Sequence, residues 1–184
     1  RRVLETMLNE DEFLSDHGIR SLSRYHKDCP FFLEFDHTEY RVDYEPAESR
    51  SGMFGGNSNW RGPIWFPVNY LLIEALQKFD HYYGDDFKIE FPTGSGKRLN
   101  LWQISQQLEK RLCSLFLRDQ SGTRPMFGQS EVFQNGRNWR DNLFFFEYFD
   151  GESGRGLGAS HQTGWTGLIA KILKQTAEYS ERDR

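Results

Sequence analysis

Residues 68–84, with the sequence VNYLLIEALQKFDHYYG, decide the predicted fold class. Apolar side chains recur in this stretch three and four positions apart, at Val68, Leu71, Leu72, Ala75, Leu76, Phe79, Tyr82 and Tyr83. Such spacing lines one face of an α-helix. We expect the helix to begin between Pro63 and Pro67, because proline is tolerated in a first turn, and to end at Gly84.

Helical spacing returns on both sides of this stretch. Val3–Leu8 predicts a helix near the N-terminus, Leu101–Leu115 a second long helix, and Trp165–Thr176 a last amphipathic helix. The charged face of the second long helix carries Glu109, Lys110 and Arg111. The apolar run Trp139–Tyr148 is interpreted as a short buried helix, with a strand as the alternative, because a continuous apolar run hides its period.

Long irregular segments separate the predicted helices. Residues 11–61 contain turn formers and a single candidate strand, Glu39–Tyr44, whose side chains alternate in character. Residues 51–60, 118–138 and 151–164 are rich in glycine and polar side chains, which is typical of loops. The alternation of long helices and long loops predicts an all-α fold whose loops gather on one face.

The composition argues against several functional classes. A net charge of −4 without a basic stripe disfavours a nucleic acid partner, and no apolar run approaches the roughly 20 residues that a membrane helix needs. Aromatic residues make up 16% of the chain although the mean hydropathy is −0.74. Aromatic rings in so polar a chain indicate either an aromatic core or a groove that stacks on flat ligands, among which the acidic balance favours sugars over bases.

The cysteine content indicates neither a zinc site nor a disulfide framework. Cys29 and Cys113 form no CxxC pair and have no histidine at ligand spacing, so we expect no metal and no cofactor. Two lone thiols fit a reducing compartment, and we therefore expect a cytoplasmic protein.

Glu147 is the strongest catalytic candidate in the chain. It lies inside the apolar stretch Leu143–Phe149, where an ionised carboxylate needs a compensating partner or a polar cavity. A functional carboxylate at a pocket wall meets that need. The alternative is a glutamate that points to solvent from one face of a helix.

A glycine-rich loop follows this carboxylate. Its sequence over Asp150–Gly164, DGESGRGLGASHQTG, would let the backbone approach a ligand closely. It ends at His161, Gln162 and Trp165, which offer hydrogen bonds and a stacking face. A flexible connector is the alternative interpretation.

A second polar and aromatic cluster covers residues 57–65, NSNWRGPIW. Trp60 and Trp65 flank Arg61 at the expected entrance of the long helix. Tryptophan stacks on sugar rings and arginine binds carboxylates or hydroxyl groups, so these side chains suit a sugar pocket. The alternative is a capped helix start with tryptophan residues in the core.

Three stretches together resemble glycoside hydrolase family 63, which includes processing α-glucosidases and bacterial hydrolases of related α-glycosides. They are Phe54–Tyr70 (FGGNSNWRGPIWFPVNY), Trp139–Gly151 (WRDNLFFFEYFDG) and Gly154–Gly167 (GRGLGASHQTGWTG). They occur in the family's order and cover much of the chain. The whole chain is similar to the C-terminal part of the family's catalytic domain.

This resemblance implies a fold, a mechanism and a set of site residues. The fold would be the C-terminal portion of an (α/α)6 barrel, with residues 1–184 as a partial catalytic domain. The mechanism would be inverting, with Glu147 as the general base that activates water. The substrate-binding residues would be Asn59, Trp60, Arg61, Trp65, Asn69, Tyr148, His161, Gln162 and Trp165. We also expect polar neighbours, Arg61 or His161, to offset the burial of Glu147.

The catalytic acid has no counterpart here, because the family's aspartate lies upstream of anything this chain contains. Asp43, Glu45 and Glu48 are the fallback carboxylates within the chain. We therefore expect the fragment alone to be inactive and to need the remainder of its own catalytic domain. The expected substrate is an α-linked oligosaccharide or small glycoside, most simply a glucoside.

Two other functions remain open at this point. The chain could be a non-catalytic carbohydrate-binding or scaffold fragment. It could also belong to a hydrolase of mannosyl- or glucosyl-glycerate, since glycerate-linked sugars are substrates within the resembled family.

Overall fold

The computed structural model describes residues 1–52 and 59–182, and within these ranges helices and short strands alternate along the chain. The first five residues of the stretch Phe54–Tyr70, and the start of the cluster at 57–65, lie outside the described residues. The helices are α1 Arg2–Met7, α2 Phe66–Tyr83, α3 Leu101–Ser114, α4 Glu131–Asn135, α5 Thr163–Thr166 and α6 Ile169–Arg182, with 3-10 turns at Arg24–Lys27 and Pro125–Phe127. The strands are β1 Leu14–Ser15, β2 Gly18–Ile19, β3 Phe31–Phe35, β4 Thr38–Val42, β5 Lys88–Glu90, β6 Arg98–Asn100, β7 Tyr148–Phe149 and β8 Gly156–Leu157.

The all-α prediction is wrong, and with it the (α/α)6 fold class. In the part of the chain that is described, the strands pair consecutively into four two-stranded antiparallel sheets, so the fold is mixed. Most of these strands have two or three residues, which is too short to produce a readable alternation of side chains. Segments that read as loops therefore contain hairpins.

The bounds of the long central helix agree with their prediction, but most of its predicted apolar face does not: Val68, Leu71, Phe79, Tyr82 and Tyr83 are exposed. Helix α2 begins at Phe66, with Pro67 in its first turn, and is followed by Gly84, whose φ of 72° is the left-handed conformation that favours glycine. Its buried face carries Phe66, Ile73 and Leu76, which contribute to the main hydrophobic core. The helix thus begins and ends where proline and glycine indicated.

Helix α3 packs against both α2 and α6 and forms the centre of the helical layer. Its N-terminus has a capping box: the Gln103 backbone N–H donates to Asn100 Oδ1 and the Asn100 backbone N–H to Gln103 Oε1. The predicted charged face is partly wrong, because Glu109 is fully buried, with its Oε1 2.9 Å from Gln77 Nε2 of α2. The third helix of the layer buries Ile169 and Ile172.

The run Trp139–Tyr148 is not a helix, so that interpretation is wrong. It is made of turns and extended backbone; Phe145 forms an isolated bridge with His161, and Tyr148 begins β7. The aromatic rings of Phe144, Phe145 and Phe146 pack against the main core. A continuous apolar run has no period, so only tertiary packing distinguishes a strand from a helix here.

Strands β3 and β4 form an amphipathic hairpin, at almost the position of the strand predicted at Glu39–Tyr44. Asp36 and His37 connect the strands with φ angles of 48° and 59°, as a two-residue hairpin turn requires. The register places the following residues on one face: Phe31, Leu33, Phe35, Thr38, Tyr40 and Val42. On the opposite face lie Phe32, Glu34, Glu39 and Arg41. Every side chain of β3 is exposed, so the hairpin stands out from the core.

The backbone of Ile64 joins the segments around Arg20 and Phe149, which are distant from it in the sequence. It forms antiparallel bridges with Arg20 on one side and Phe149 on the other. The Ile64 and Phe149 backbones exchange hydrogen bonds of 2.8 and 3.0 Å, and the Ile64 side chain is fully buried. The start of α2 is thereby held against β7. None of the helices in the described ranges is long and apolar enough to cross a membrane.

Candidate active site

An aromatic wall is built around Trp65. The Trp65 ring stacks on Trp60 with a centroid separation of 3.9 Å and on Tyr148 at 4.9 Å, and meets Trp165 edge-on at 5.9 Å. Trp65 and Tyr148 are buried, whereas Trp60 is 40% exposed and Trp165 is 38% exposed. The indoles of Trp60 and Trp165 are thus accessible to a ligand, while the buried rings of Trp65 and Tyr148 support them. This arrangement is suited to stacking on a sugar ring.

Glu147 precedes the wall residue Tyr148 and is half-buried. Its Oε2 accepts a hydrogen bond from the Ala159 backbone N–H at 3.3 Å, and its own N–H donates to the Ala159 carbonyl at 2.9 Å. Gly158 has a φ of +68°, and a Cβ there would lie 2.6 Å from Glu147 Oε2. The carboxylate occupies space that only a glycine at position 158 leaves open, a requirement that sequence reasoning missed.

The glycine-rich loop is fastened to the body of the protein at several points. The Gly151 N–H donates to the Pro46 carbonyl at 2.9 Å, and a Cβ on Gly151 would lie 2.3 Å from the Gly62 carbonyl oxygen. Glu152 accepts a hydrogen bond from the Tyr44 hydroxyl and lies 3.4 Å from the buried Arg20 guanidinium. Residues 150–158 therefore have a defined position beside the wall, unlike a free connector.

Arg61 pairs with a residue that was only a fallback candidate. Its Nη2 lies 2.5 Å from Glu45 Oε2 and 2.6 Å from Ser49 Oγ, and both members of the ion pair are buried. The neighbouring Asn59 side chain donates to the carbonyls of Glu45 and Ala47 and accepts from the Arg61 N–H. These two predicted binding residues hold neighbouring segments together, and their contact with a substrate stays a prediction.

The remaining predicted binding residues lie in different surroundings. His161 is exposed, with its ring edge-on to Phe144 at 5.3 Å, and the exposed Gln162 donates its backbone N–H to the Phe145 carbonyl at 2.7 Å. Asn69 is buried in α2, and its amide exchanges hydrogen bonds of 2.7 and 3.0 Å with the Ile19 backbone. The Asn69 side chain is thus occupied by the fold, and a role in substrate binding stays a prediction.

Two of the three fallback carboxylates, Asp43 and Glu45, are held by arginine side chains. The hydrogen bond from Arg41 lowers the pKa of Asp43, which favours its ionised form, and Glu45 is paired with Arg61. Glu48 is exposed. Burial raises the pKa of Tyr148, and the charges of Glu48 and Glu147 add to this effect, so both carboxylates lie near the wall. The described residues include no group of three His, Cys, Asp or Glu side chains placed to hold a metal ion.

Comparison with known proteins assigns the family. The family model described as a mannosylglycerate hydrolase MGH1-like glycoside hydrolase domain matches residues 1–166. The chain belongs to this family of glycoside hydrolase domains. The resemblance to glycoside hydrolase family 63 is thereby confirmed, and the chain is a glycoside hydrolase domain by family.

Curated relatives agree with this family and are much longer than the chain. The uncharacterized protein YMR196W of Saccharomyces cerevisiae is 55% identical over 93% of this chain and 16% of its own length. The mannosyl-oligosaccharide glucosidase of the same yeast is 26% identical over 94% of this chain and 15% of its own length. Alpha-glucosidase 2 of Arabidopsis thaliana is 22% identical over 95% and 16%. The chain thus spans about one sixth of the length of the relatives it matches.

Proposed function

We propose that the chain is the base-carrying part of an inverting α-glucosidase, with Glu147 as the general base. The observation that carries this proposal is the position of the half-buried Glu147 carboxylate, which directly precedes Tyr148 in the wall that presents Trp60 and Trp165. The names of the mannosyl-oligosaccharide glucosidase and of alpha-glucosidase 2 support a glucoside as the substrate.

The wall and the carboxylate have complementary tasks in this reaction. The apolar face of a sugar stacks on an exposed indole, which fixes the anomeric carbon relative to Glu147. The carboxylate removes a proton from a water molecule that attacks that carbon, while a carboxylic acid on the opposite side protonates the leaving oxygen. The two carboxyl groups of an inverting glycosidase lie roughly 6.5–9.5 Å apart, which leaves room for the water.

The acid is proposed to come from a part of the catalytic domain outside this chain. The hydrogen bond from Arg41 lowers the pKa of Asp43, which does not suit proton donation, and the Glu45 carboxylate is held in a buried ion pair with Arg61. The chain spans about one sixth of its relatives' length, which leaves ample sequence for the acid. On this proposal the 184-residue chain alone does not turn over substrate.

A hydrolase of mannosyl- or glucosyl-glycerate is the second candidate, and the description of the matching family favours it. The same base and the same wall would serve that reaction, since the bond broken is again glycosidic. The second candidate differs from the first in the group that leaves and, for mannosylglycerate, also in the sugar. A screen of the full-length protein against α-linked glucosides, mannosides and both glycerate glycosides separates them.

Substitution of the base tests the mechanism in the full-length protein. We expect Glu147→Gln to lower kcat by about a thousandfold or more, because the neutral amide cannot accept the proton from water. Sugar binding, followed by quenching of tryptophan fluorescence, should persist. The exposed Glu131→Gln, in α4, is the matched control and should keep wild-type turnover.

Two results would contradict the assignment. Wild-type turnover of the Glu147→Gln variant would exclude this residue as the base. A first-formed product with the same anomeric configuration as the substrate, detected by NMR, would exclude inversion.

A further inference from the structure

Glu45 and Arg61 form an ion pair that is almost completely withdrawn from water. The distance from Arg61 Nη2 to Glu45 Oε2 is 2.5 Å, and the side chains are 3% exposed for Arg61 and 8% exposed for Glu45. A charge buried to this extent is tolerated only with a partner, so removal of either member is far more disruptive than loss of a surface ion pair. The orientation of the Arg61 guanidinium therefore depends on the Glu45 carboxylate.

Backbone contacts join the two residues a second time. The Glu45 N–H donates to the Arg61 carbonyl at 2.6 Å. Asn59 Nδ2 donates to the Glu45 carbonyl at 2.6 Å, and the Arg61 N–H donates to Asn59 Oδ1 at 3.0 Å. The segments around Glu45 and around Asn59–Arg61 thus form one unit, which we call the clamp, with the ion pair at its centre.

The clamp is continuous with the aromatic wall. Trp65 Nε1 donates to the Asn59 carbonyl at 2.9 Å, which fixes the indole on which Trp60 and Tyr148 stack. A displacement of the clamp would therefore shift the stacked rings.

We propose that Glu45 is a positioning residue of the sugar subsite, a role that rests on the proposed glycosidase function. Its carboxylate orients Arg61 and, through Asn59, fixes the Trp60–Trp65 stack on which the sugar lies. Arg61 Nε is buried and has no hydrogen-bond partner in the described part of the chain, and Glu45 and Ser49 hold the guanidinium through Nη2. Glu45 does not touch the reacting atoms; it acts through residues that meet the sugar.

Kinetics of the full-length protein with p-nitrophenyl α-D-glucopyranoside test this role. We expect Glu45→Gln to raise KM roughly tenfold or more while kcat changes by less than about threefold, since sugar binding is weakened and Glu147 is retained. The pH profile of kcat should stay as in the wild type. Glu45→Asp keeps the charge on a shorter side chain and should give an intermediate KM.

Arg50→Gln is the matched control. Arg50 Nε lies 3.5 Å from the other oxygen of Glu45, but its side chain is 81% exposed. Loss of the Arg50 guanidinium leaves the ion pair of Glu45 with Arg61 intact, so KM should remain at the wild-type value. An equal rise of KM in Arg50→Gln and Glu45→Gln would overturn the proposal.

Near-ultraviolet circular dichroism of the tryptophan residues provides a readout that needs no substrate. We expect a changed signal in Glu45→Gln at temperatures where far-ultraviolet spectra show it folded; if that variant does not fold, Glu45→Asp takes its place. An unchanged tryptophan signal, or a wild-type KM, in the folded variant overturns the positioning role. Absence of glycoside hydrolysis by the wild type would instead refute the proposed function, and the dichroism measurement then decides this inference.

Discussion

Glu109 is a fully buried carboxyl group in the centre of α3. Burial raises its pKa to about 7, although the hydrogen bond from Gln77 acts in the opposite direction. In the unfolded chain the pKa is near 4.5, so between pH 4.5 and 7 only the folded state keeps the proton. The free energy of unfolding should therefore fall as the pH rises through this window, by about 3 kcal/mol at most.

Glu109→Gln should remove this contribution. Its amide oxygen still accepts from Gln77, and it carries no charge to desolvate, so the variant should exceed the wild type in stability above pH 7 by about 1–3 kcal/mol. Urea unfolding at a series of pH values measures the difference, with the exposed Glu5→Gln, in α1, as control. Parallel stability curves for wild type and Glu109→Gln would contradict the expectation.

The two thiols should differ in reactivity. Cys29 is exposed, whereas Cys113 is buried, and burial raises the pKa of the Cys113 thiol to about 11. Because the thiolate is the reactive form, a disulfide reagent should modify only Cys29 in the folded chain and both thiols in guanidinium. Cys29→Ser should therefore abolish the native reaction, and fast labelling of that variant would contradict the burial of Cys113. A reducing, cytoplasmic location stays a prediction.

At the scale of elements, the glycine-rich loop between β7 and β8, together with Gly158 just after β8, determines the position of the Glu147 carboxylate. Gly158→Ala would strain a φ of +68° and place a Cβ 2.6 Å from Glu147 Oε2. A displacement of this kind at a reacting group costs about a hundredfold in rate, so kcat of the full-length protein should fall by about that factor. Gly96→Ala, in the turn between β5 and β6, has a similar φ of +74° and nothing within 4 Å of the added Cβ.

Comparison of these two variants separates backbone strain from the contact with Glu147. Both should lose roughly 1 kcal/mol of stability, because each forces alanine into the left-handed region. Only Gly158→Ala should lose turnover. Equal turnover of Gly158→Ala and Gly96→Ala would show that the carboxylate tolerates the added methyl group.

The elements that could be predicted are those whose burial has a period. Helix α3 agrees with its predicted segment because one face of it is buried along its length. The bounds of α2 follow from Pro67 and Gly84, but its buried face is formed by Phe66, Ile73 and Leu76, of which only Leu76 belongs to the predicted set. The strands of two residues contain no period, and the apolar residues 143–146 before β7 are continuous, so neither pattern distinguishes a strand from a loop or a helix. Burial of Glu109 could not be predicted because its polar partner Gln77 lies on another helix.

The site was less predictable than the helices. Trp60, Trp65, Tyr148 and Trp165 do lie together. The sequence itself groups Trp60 with Trp65, but only the family resemblance predicts that Tyr148 and Trp165 join them. Pairing of Arg61 with Glu45 escaped prediction because it joins two irregular segments, where side-chain direction follows no rule. Such contacts depend on tertiary structure alone.

At the scale of the whole molecule, the apolar face of the β3–β4 hairpin is an open hydrophobic surface. Its members include Leu33, at 51% exposure, and Phe35, at 69%. Surfaces of this kind promote association, so the 184-residue chain should self-associate as its concentration rises. Light scattering should show less association for the double variant Leu33→Thr, Phe35→Thr.

A control on the other face of the same hairpin tests the assignment of faces. Glu34 and Glu39 are directly opposite each other there. The double variant Glu34→Thr, Glu39→Thr keeps the apolar face and relieves a like-charge contact, so its association should be no weaker than that of the wild type. Weaker association of this control would show that the apolar face is not the contact surface.

The position of Ile64 between Arg20 and Phe149 has a consequence for the order of folding. Its two bridges close loops of 44 and 85 residues, whereas each hairpin and helix closes locally. The entropy cost of long loops grows with their length, so these bridges should form late. During synthesis the ribosome must release both Phe149 and Trp165 before the indoles and the carboxylate can meet. Until then helix α2 can form in the nascent chain, but the aromatic wall and Glu147 cannot assemble beside it.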